Sequence, residues 1–309
     1  MPIRISDSLP ARAVLEGENI FVMTEYRAAR QDIRPLRLVI LNLMPTKVVT
    51  ETQLLRCLSN TPLQIEIDLL QTSTYRSKNT SEQHLLNFYT TFDQISQNRY
   101  DGMIVTGAPV ETMEFEDVAY WNELCGIMDW ANEHVHSTLY ICWGAQAALY
   151  HHYGIKKRVL SLSEKMFGVF EHRLHERNVP LLRGFDDIFL APHSRLAETE
   201  AGDIERNPNL LLLSSSAKAG MYLAMSRNGR RIFVSGHSEY DADTLSKEYF
   251  RDVERGLDIK IPYHYFPNDD PKQTPPHTWR SHAHLLYSNW LNYYVYQTTP
   301  YDIETVGVI

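Results

Sequence analysis

A cysteine and a histidine each stand where an apolar segment of the chain ends. Cys142 follows the segment 137–141 (STLYI), and His237 follows the segment 231–235 (RIFVS) by one residue. If both segments are parallel strands of one sheet, their side chains emerge at the same edge. A thiol beside an imidazole is an activated nucleophile, and Glu239 is spaced to orient that imidazole and to stabilise its charged form. These residue types predict acyl chemistry through a cysteine.

The surroundings of Cys142 favour this role. The residues Trp143 and Gly144 open a helical pattern, so the cysteine would lie on a sharp strand-to-helix turn. The helix N-terminus would favour a thiolate and supply backbone N–H groups. The alternative is that Cys142 is a small buried hydrophobe, an interpretation that we keep for Cys57 and Cys125. A His-x-Glu pair alone is weak support among 13 histidines and 38 acidic residues, so the conjunction carries the prediction.

Strand and helix patterns alternate over the first half of the chain. The residues 36–43 (LRLVILNL) form a nearly continuous apolar run, as expected of a strand buried on both faces. We predict strands at 36–43, 63–70, 101–106 and 137–141, with helices at 48–58, 82–95, 115–135 and 144–153. This order is typical of an α/β domain with a mainly parallel sheet flanked by helices.

The second half is richer in strands. We predict strands at 166–173, 187–190, 210–214, 221–226 and 231–235, and helices at 243–255 and 279–296. Asn228-Gly229 between two apolar runs indicates a hairpin. Residues 1–35 are predicted to be an irregular N-terminal arm packed on the core, and residues 36–309 a single domain that ends in a C-terminal extension.

Composition restricts the class of partner. The chain of 309 residues carries a formal net charge of -8, which favours a small-molecule substrate over nucleic acid or an anionic membrane. No run approaches the roughly 20 apolar residues of a membrane span, and we expect a cytoplasmic protein. The three cysteines have no CxxC spacing, so we predict neither a disulfide framework nor a metal site.

Two levels of family resemblance follow from the motifs. A strand followed by Cys-x-Gly-x-Gln and a helix, with a late His-x-Glu, resembles the class I glutamine amidotransferase superfamily, which implies a flavodoxin-like α/β fold. More closely, six blocks spread over nearly the whole chain together resemble the homoserine O-acyltransferases of methionine biosynthesis. The blocks are 42–47 (NLMPTK), 106–111 (TGAPVE), 142–148 (CWGAQAA), 164–169 (EKMFGV), 192–195 (PHSR) and 236–240 (GHSEY).

The closer resemblance implies a ping-pong reaction. Cys142 would carry the acyl thioester, His237 would act as general base, and Glu239 would orient it. The acyl group would pass from an acyl-CoA co-substrate to the hydroxyl of L-homoserine, with no bound cofactor, and the protein would be a homodimer. Backbone N–H groups of Trp143 and Leu43 are the candidates for the oxyanion hole.

Three more residues match the family's substrate contacts. Arg251 would hold the homoserine carboxylate, a group that a guanidinium fork binds well, and Lys165 and Ser194 would make the other contacts. Taken one at a time, Lys165 and Arg251 are equally compatible with solvated surface charges, and Ser194 with a turn residue.

Glu111 stands at the position that selects the acyl donor in this family. Glutamate there implies acetyl-CoA, because a carboxylate beside the acyl pocket would repel the distal carboxylate of a succinyl group and fill its space. Glu111 is also compatible with an acidic residue that merely leads into a helix.

Three alternative functions stay open at this point. Succinyl transfer differs only in the donor. Glutamine hydrolysis would fit the superfamily, but the chain offers no identifiable synthetase domain to receive ammonia. A binding module that retains its cysteine is the third, and it would have no need of a reactive thiol.

Overall fold

The sheet that runs through the molecule has a parallel half and an antiparallel half. In the computed structural model, which describes residues 3–6, 8–17, 23–24, 34–74, 79–300 and 302–307, the strands of this sheet follow the order β10-β9-β12-β13-β14-β7-β6-β3-β4-β1-β2, with β5 paired to β4. The pairs from β14 to β2 are parallel, and those from β10 to β14 are antiparallel. The described strands are β1 Ile3–Ile5, β2 Met23–Thr24, β3 Leu36–Leu41, β4 Ile65–Leu70, β5 Tyr89–Thr90, β6 Tyr100–Val105, β7 Val135–Ile141, β8 Arg158–Val159, β9 Met166–Leu174, β10 Ile188–Arg195, β11 Ala197–Glu198, β12 Leu210–Ser216, β13 Gly220–Ser226 and β14 Arg231–Val234.

Helices cover both faces of the sheet. The described α-helices are α1 Pro10–Gly17, α2 Lys47–Leu58, α3 Glu82–Phe88, α4 Phe92–Ile95, α5 Trp121–His134, α6 Trp143–Tyr153, α7 Ala201–Arg206, α8 Thr244–Glu254 and α9 Arg280–Asn289, which continues as a π-helix over Trp290–Tyr296. None of them is long and apolar enough to cross a membrane.

The alternation along β3 shows how the two core layers arise. Leu38 and Ile40 face one cluster, with side chains from α2 and α9, and Val39 and Leu41 face the other, with side chains from α5 and α6. Successive residues of a strand point to opposite faces, so a strand covered on both sides must be apolar throughout. This confirms the α/β fold with a mixed, mainly parallel sheet.

The parallel strands β3, β6, β7 and β14 end at one edge. The register pairs Leu41 with Val105, Val105 with Tyr140 and Ile141 with Val234, so the four ends are nearly level. The loops that leave this edge therefore converge.

The structure corrects several predicted segments. The described part of 1–35 is not irregular, because β1 pairs with β4 and α1 buries Ala11 and Leu15. Helix 82–95 is broken by β5, since Tyr89 pairs with Leu69 and its hydroxyl donates to buried Glu51 at 2.6 Å. A 3-10 turn and a separate helix, which begins at Trp121, replace helix 115–135.

Strand β10 runs to Arg195, five residues beyond the predicted end. The prediction stopped short of Pro192, which cannot donate a ladder hydrogen bond. β10 lies at the edge of the sheet, with β9 as its neighbour, and proline is tolerated in edge strands. The strand consequently carries Ser194 and Arg195 toward the site. The division of the chain at residue 35 stays a prediction.

Close packing of α6 against β6 gives a test of the fold. A Cβ on Gly144 would lie 2.6 Å from the carbonyl oxygen of Thr106, whereas a Cβ on Gly126, in the middle of α5, would meet nothing within 4 Å. We expect Gly144→Ala to lower the free energy of unfolding by about 1–3 kcal/mol, as overpacking does. Gly126→Ala should raise it by up to about 1 kcal/mol through helix propensity. Urea unfolding of both variants measures the difference, and equal midpoints would contradict this packing.

Candidate active site

Cys142 lies at the junction of β7 and α6 in a strained backbone conformation. Its φ is 51° and its ψ is -117°, a region that residues other than glycine rarely adopt. Its amide donates to Val234 O at 2.7 Å, which ties the turn to the end of β14. The side chain is buried, and the N-terminus of α6 begins at the next residue. Strain at a strand-to-helix turn is the geometry of a nucleophile elbow.

His237 and Glu239 form a buried pair beside it. His237 Nδ1 lies 2.7 Å from Glu239 Oε1, and the Tyr240 ring stacks on the imidazole with centroids 4.3 Å apart. The His237 amide donates to Pro192 O at 2.8 Å and so holds the loop in place. Burial acts to lower the pKa of His237, but Cys142 and Glu239 outweigh it and raise the pKa well above its ordinary value. Both partners therefore favour the charged form of the imidazole.

Gly107 marks the point where the thiol and the imidazole meet. A Cβ on Gly107 would lie 3.2 Å from Cys142 Cβ, 3.7 Å from Cys142 Sγ and 3.5 Å from His237 Cε1. The loop after β6 thus passes directly over both groups, and the absence of a side chain leaves room there for a reacting carbonyl.

The two candidate oxyanion donors differ in the structure. The Trp143 amide is in the first turn of α6, where N–H groups have no helical acceptor. The Leu43 amide instead donates to Thr106 Oγ1 at 2.8 Å, because the ends of β3 and β6 are adjacent. The Leu43 amide is therefore engaged, whereas the loop at Gly107 passes close to the sulfur.

Lys165, Ser194 and Arg251 converge on two carboxylates of α8. Lys165 Nζ lies 3.5 Å from Asp252 Oδ2, and Arg251 Nε donates to Asp252 Oδ1 at 2.8 Å. Ser194 Oγ donates to Glu248 Oε2 at 2.5 Å. The three residues named from the sequence are thus brought together, although they come from three different elements.

The two carboxylates were missed by the sequence analysis. Glu248, Arg251 and Asp252 have i, i+3 and i+4 spacing, which places them on neighbouring positions of one helix surface. That spacing within the predicted helix 243–255 was a usable signal. Glu248 also accepts a hydrogen bond from the Tyr240 hydroxyl at 3.1 Å. Glu248 therefore connects the ring stacked on His237 to the polar cluster, which consists of Lys165, Ser194, Glu248, Arg251 and Asp252.

The Glu111 carboxyl group interacts electrostatically with His237 and with Lys165 of the polar cluster. Burial raises the pKa of its carboxyl group, and the nearby charges of His237 and Lys165 oppose the rise. Lys157 Nζ donates to the Glu111 carbonyl oxygen at 2.6 Å and fixes the loop.

Arg195 was also missed. Its side chain is 1% exposed, and one guanidinium nitrogen donates to Ala219 O. Burial lowers its pKa, whereas Cys142 and Glu198 favour the charged form. A buried cation in this position adds to the positive potential around the sulfur.

One possible metal-ligand group exists in the described part of the chain. Asp129, His151 and His152 have ligand atoms within 4.8 Å of one another. The two histidines are at the C-terminal end of α6, the opposite end from Cys142, and Asp129 Oδ1 already bonds His151 Nε2 at 2.7 Å. The chemistry of the candidate site does not involve this group.

A family model and several named relatives match nearly the whole chain. A family model described as HTS, homoserine O-succinyltransferase, matches residues 2–301. The chain belongs to this family. A relative from Acetivibrio thermocellus, named homoserine O-acetyltransferase, is 61% identical over 304 residues, which cover 98% of this chain and 99% of the relative. One from Brevibacillus brevis with the same name is also 61% identical, with the same coverage.

The HTS family chain shares its fold with amidotransferases. A glutamine amidotransferase from Thermotoga maritima superposes with a TM-score of 0.53 and 13% identity, over 84% of this chain and 98% of that one. At this identity the likeness concerns the fold alone, and it confirms the class I glutamine amidotransferase-like architecture predicted from the sequence.

The charge on Glu239 gives a test of the His237–Cys142 pair. Glu239→Gln removes one of the charges that raise the pKa of His237, so less of the charged imidazolium should be present near Cys142 at neutral pH. We expect alkylation of Cys142 by iodoacetamide at pH 7 to slow by about tenfold, which corresponds to one pKa unit. Peptide mass spectrometry would follow the labelling of each cysteine.

Two internal references complete this test. Burial raises the pKa of Cys125 to about 11 and that of Cys57 further, so both should label slowly in every variant. Cys142→Ala defines the background rate. Equal labelling of Cys142 in wild type and Glu239→Gln would contradict the pair, and an unreactive Cys142 in wild type would favour a binding module.

Proposed function

We propose that this protein is a homoserine O-acetyltransferase, which moves an acetyl group from acetyl-CoA to the hydroxyl of L-homoserine through a thioester on Cys142. The observation that supports it best is the strained Cys142 close to the His237–Glu239 pair, in a chain about 60% identical to relatives with that name over their full length. We place the reaction in the cytoplasm, in methionine biosynthesis.

The first half-reaction loads the enzyme. The Cys142 thiolate attacks the acetyl carbonyl carbon, and the carbonyl oxygen becomes an oxyanion. The Trp143 amide and an amide from the loop at Gly107 stabilise this charge, and each such donor contributes roughly 3 kcal/mol. When the carbon–sulfur bond to CoA breaks, His237 gives its proton to the departing thiolate. The products are the Cys142 thioester and free CoA.

The second half-reaction unloads it. His237, now neutral, takes the proton from the homoserine hydroxyl while the oxygen attacks the thioester carbonyl. The second oxyanion uses the same donors, and its collapse releases the Cys142 thiolate and O-acetyl-L-homoserine. Glu239 stabilises the imidazolium each time it forms.

The polar cluster on α8 suits a zwitterion such as homoserine. Arg251 is half exposed and can turn its guanidinium to the substrate carboxylate. The Glu248 carboxylate would accept a hydrogen bond from the substrate ammonium group. This bond would either replace the one from Ser194 or form in addition to it. Asp252 holds Lys165 and Arg251 in place.

Glu111 supports acetyl rather than succinyl as the donor group. This carboxyl group is largely desolvated, so a second carboxylate placed beside it would be desolvated as well and repelled by the Glu111 carboxylate. The family model is described by the succinyl reaction, which makes succinyl-CoA the second candidate. We also propose a homodimer, which light scattering would test.

The donor is tested by intact-protein mass after incubation with acetyl-CoA or succinyl-CoA in the absence of homoserine. We expect an acetyl-sized increase in wild type with acetyl-CoA only, and none in Cys142→Ala. Glu111→Gly should admit succinyl-CoA, because it removes both the charge and the bulk. A succinyl adduct on wild type would agree with the thioester mechanism but would contradict the assignment of acetyl-CoA as the donor.

The carboxylate contact is tested with a matched pair of arginines one helical turn apart. Arg251→Ala should raise the KM for homoserine by about tenfold or more, since a charge-assisted hydrogen bond to a carboxylate is worth about 1.5–3 kcal/mol. Arg255→Ala removes an exposed arginine at the end of α8 and should leave that KM within about twofold. Equal effects of the two substitutions would contradict the assignment.

A further inference from the structure

A narrow apolar cleft opens at the same edge of the sheet as Cys142. Its volume is about 170 Å³, and its walls are the turn after β3, the loop after β6 and the segment before α5. Residues from these walls include Leu43, Met44, Pro109, Val110, Ala119 and Tyr120. In the order of the sheet, β6 and β3 lie on one side of β7, and β14, which leads to α8, lies on the other. The cleft and the polar cluster therefore approach Cys142 from different sides.

The chain segments that form the cleft walls lead to the residues around Cys142. Leu43 bonds Thr106, and the next residue, Gly107, is the one that passes over Cys142 and His237. On the opposite wall, the Tyr120 ring packs edge-on against the ring of Trp143, with centroids 6.1 Å apart. Both walls of the cleft therefore adjoin residues that contact the surroundings of Cys142.

The loop that carries Glu111 is also a wall of the cleft. Val110 and Met113 line it, while the Glu111 carboxyl between them interacts electrostatically with His237 and Lys165. Lys157 clamps the loop, because its ammonium donates to the carbonyl oxygens of Glu111 and Met113 and lies 4.7 Å from the Phe115 ring centroid. The wall and the proposed acyl selector are thus one rigid unit.

We propose that this cleft binds the pantetheine arm of acetyl-CoA, so that the two substrates reach Cys142 from opposite sides of β7. This inference rests on the proposed function. The arm is a long, thin chain of methylene groups and amides, which suits a narrow and mainly apolar passage. Homoserine has no comparable apolar part, and its charges find partners at α8.

A larger cleft elsewhere does not suit the arm. It measures about 410 Å³ and is lined by residues of β1, α2 and β4, among them Glu66 and Asp68. Its strands β4 and β1 are separated from β7 by β6 and β3, so a thioester bound there would not reach the sulfur.

The test fills the cleft and compares two donors. Ala119 is exposed and lines the cleft, so Ala119→Phe should obstruct it with little cost to folding. Single-turnover acetylation of Cys142, read by intact mass without homoserine, is measured with acetyl-CoA and with S-methyl thioacetate, a thioester that lacks the arm. We expect the acetylation rate to fall by about tenfold or more with acetyl-CoA and by less than about twofold with the small thioester. This difference is expected when a variant loses binding to a part of the substrate that is remote from the reacting carbonyl.

The control and the contrary outcomes are distinct. Ala217→Phe makes the same change in an exposed turn between β12 and β13. In this variant Cys142 should be acetylated at the wild-type rate. Met113→Trp, on the other wall, should repeat the donor-selective loss. An unchanged rate with acetyl-CoA in both cleft variants, or an equal loss with both donors, would overturn the assignment. Absence of any acetyl adduct on wild type would overturn the proposed function itself.

Discussion

The arrangement of the site depends on the backbone of Cys142. A non-glycine residue with a φ of 51° is held there by the hydrogen bond to Val234 O and by Gly144, which lets α6 press on the end of β6. Strain of this kind costs about 1–3 kcal/mol and persists only where the surrounding structure determines it. Here the parallel pairing of β7 with β14 and β6 does so. The same pairing brings the loops that carry His237 and Gly107 to the sulfur.

The charged groups around Cys142 are distributed asymmetrically. His237 and the buried Arg195 bring positive charge to the surroundings of Cys142, and Glu239 stabilises the charged imidazolium. Beyond them, α8 presents alternating acidic and basic groups that suit a zwitterion. On the other side of β7 the walls are apolar, and the Glu111 carboxyl group interacts electrostatically with His237 and with Lys165 of the polar cluster. A ping-pong enzyme needs one nucleophile that two chemically different substrates can reach, and this arrangement provides it.

Much of this could be predicted from the sequence, where local patterns determined the outcome. Strand β3 is a nearly continuous apolar run, β6 and β7 end in apolar residues, and the nucleophile stands at a strand-to-helix junction, so the strands and the nucleophile were found. The contact of His237 with Glu239 followed from their spacing. The α8 carboxylates were also within reach of the sequence, because Glu248, Arg251 and Asp252 have helical spacing.

The remaining features depend on tertiary contacts. Leu43 was expected to be a free donor, but its amide is taken by Thr106 through the adjacency of β3 and β6, which no local pattern shows. Tyr89 lies in a strand because β4 and Glu51 provide its partners. Arg195 is fully buried, whereas arginine is usually exposed, so its sequence neighbourhood gave no reason to expect it to interact with Cys142.

The central claim is that Cys142 alone carries the acyl group between the two substrates. Isotope exchange tests it directly: labelled CoA is incubated with enzyme and unlabelled acetyl-CoA, with no homoserine present. We predict that label enters acetyl-CoA with wild type and does not with Cys142→Ala, because the thioester on Cys142 forms and reverses without the second substrate. Exchange that requires homoserine would contradict it and indicate direct transfer in a ternary complex.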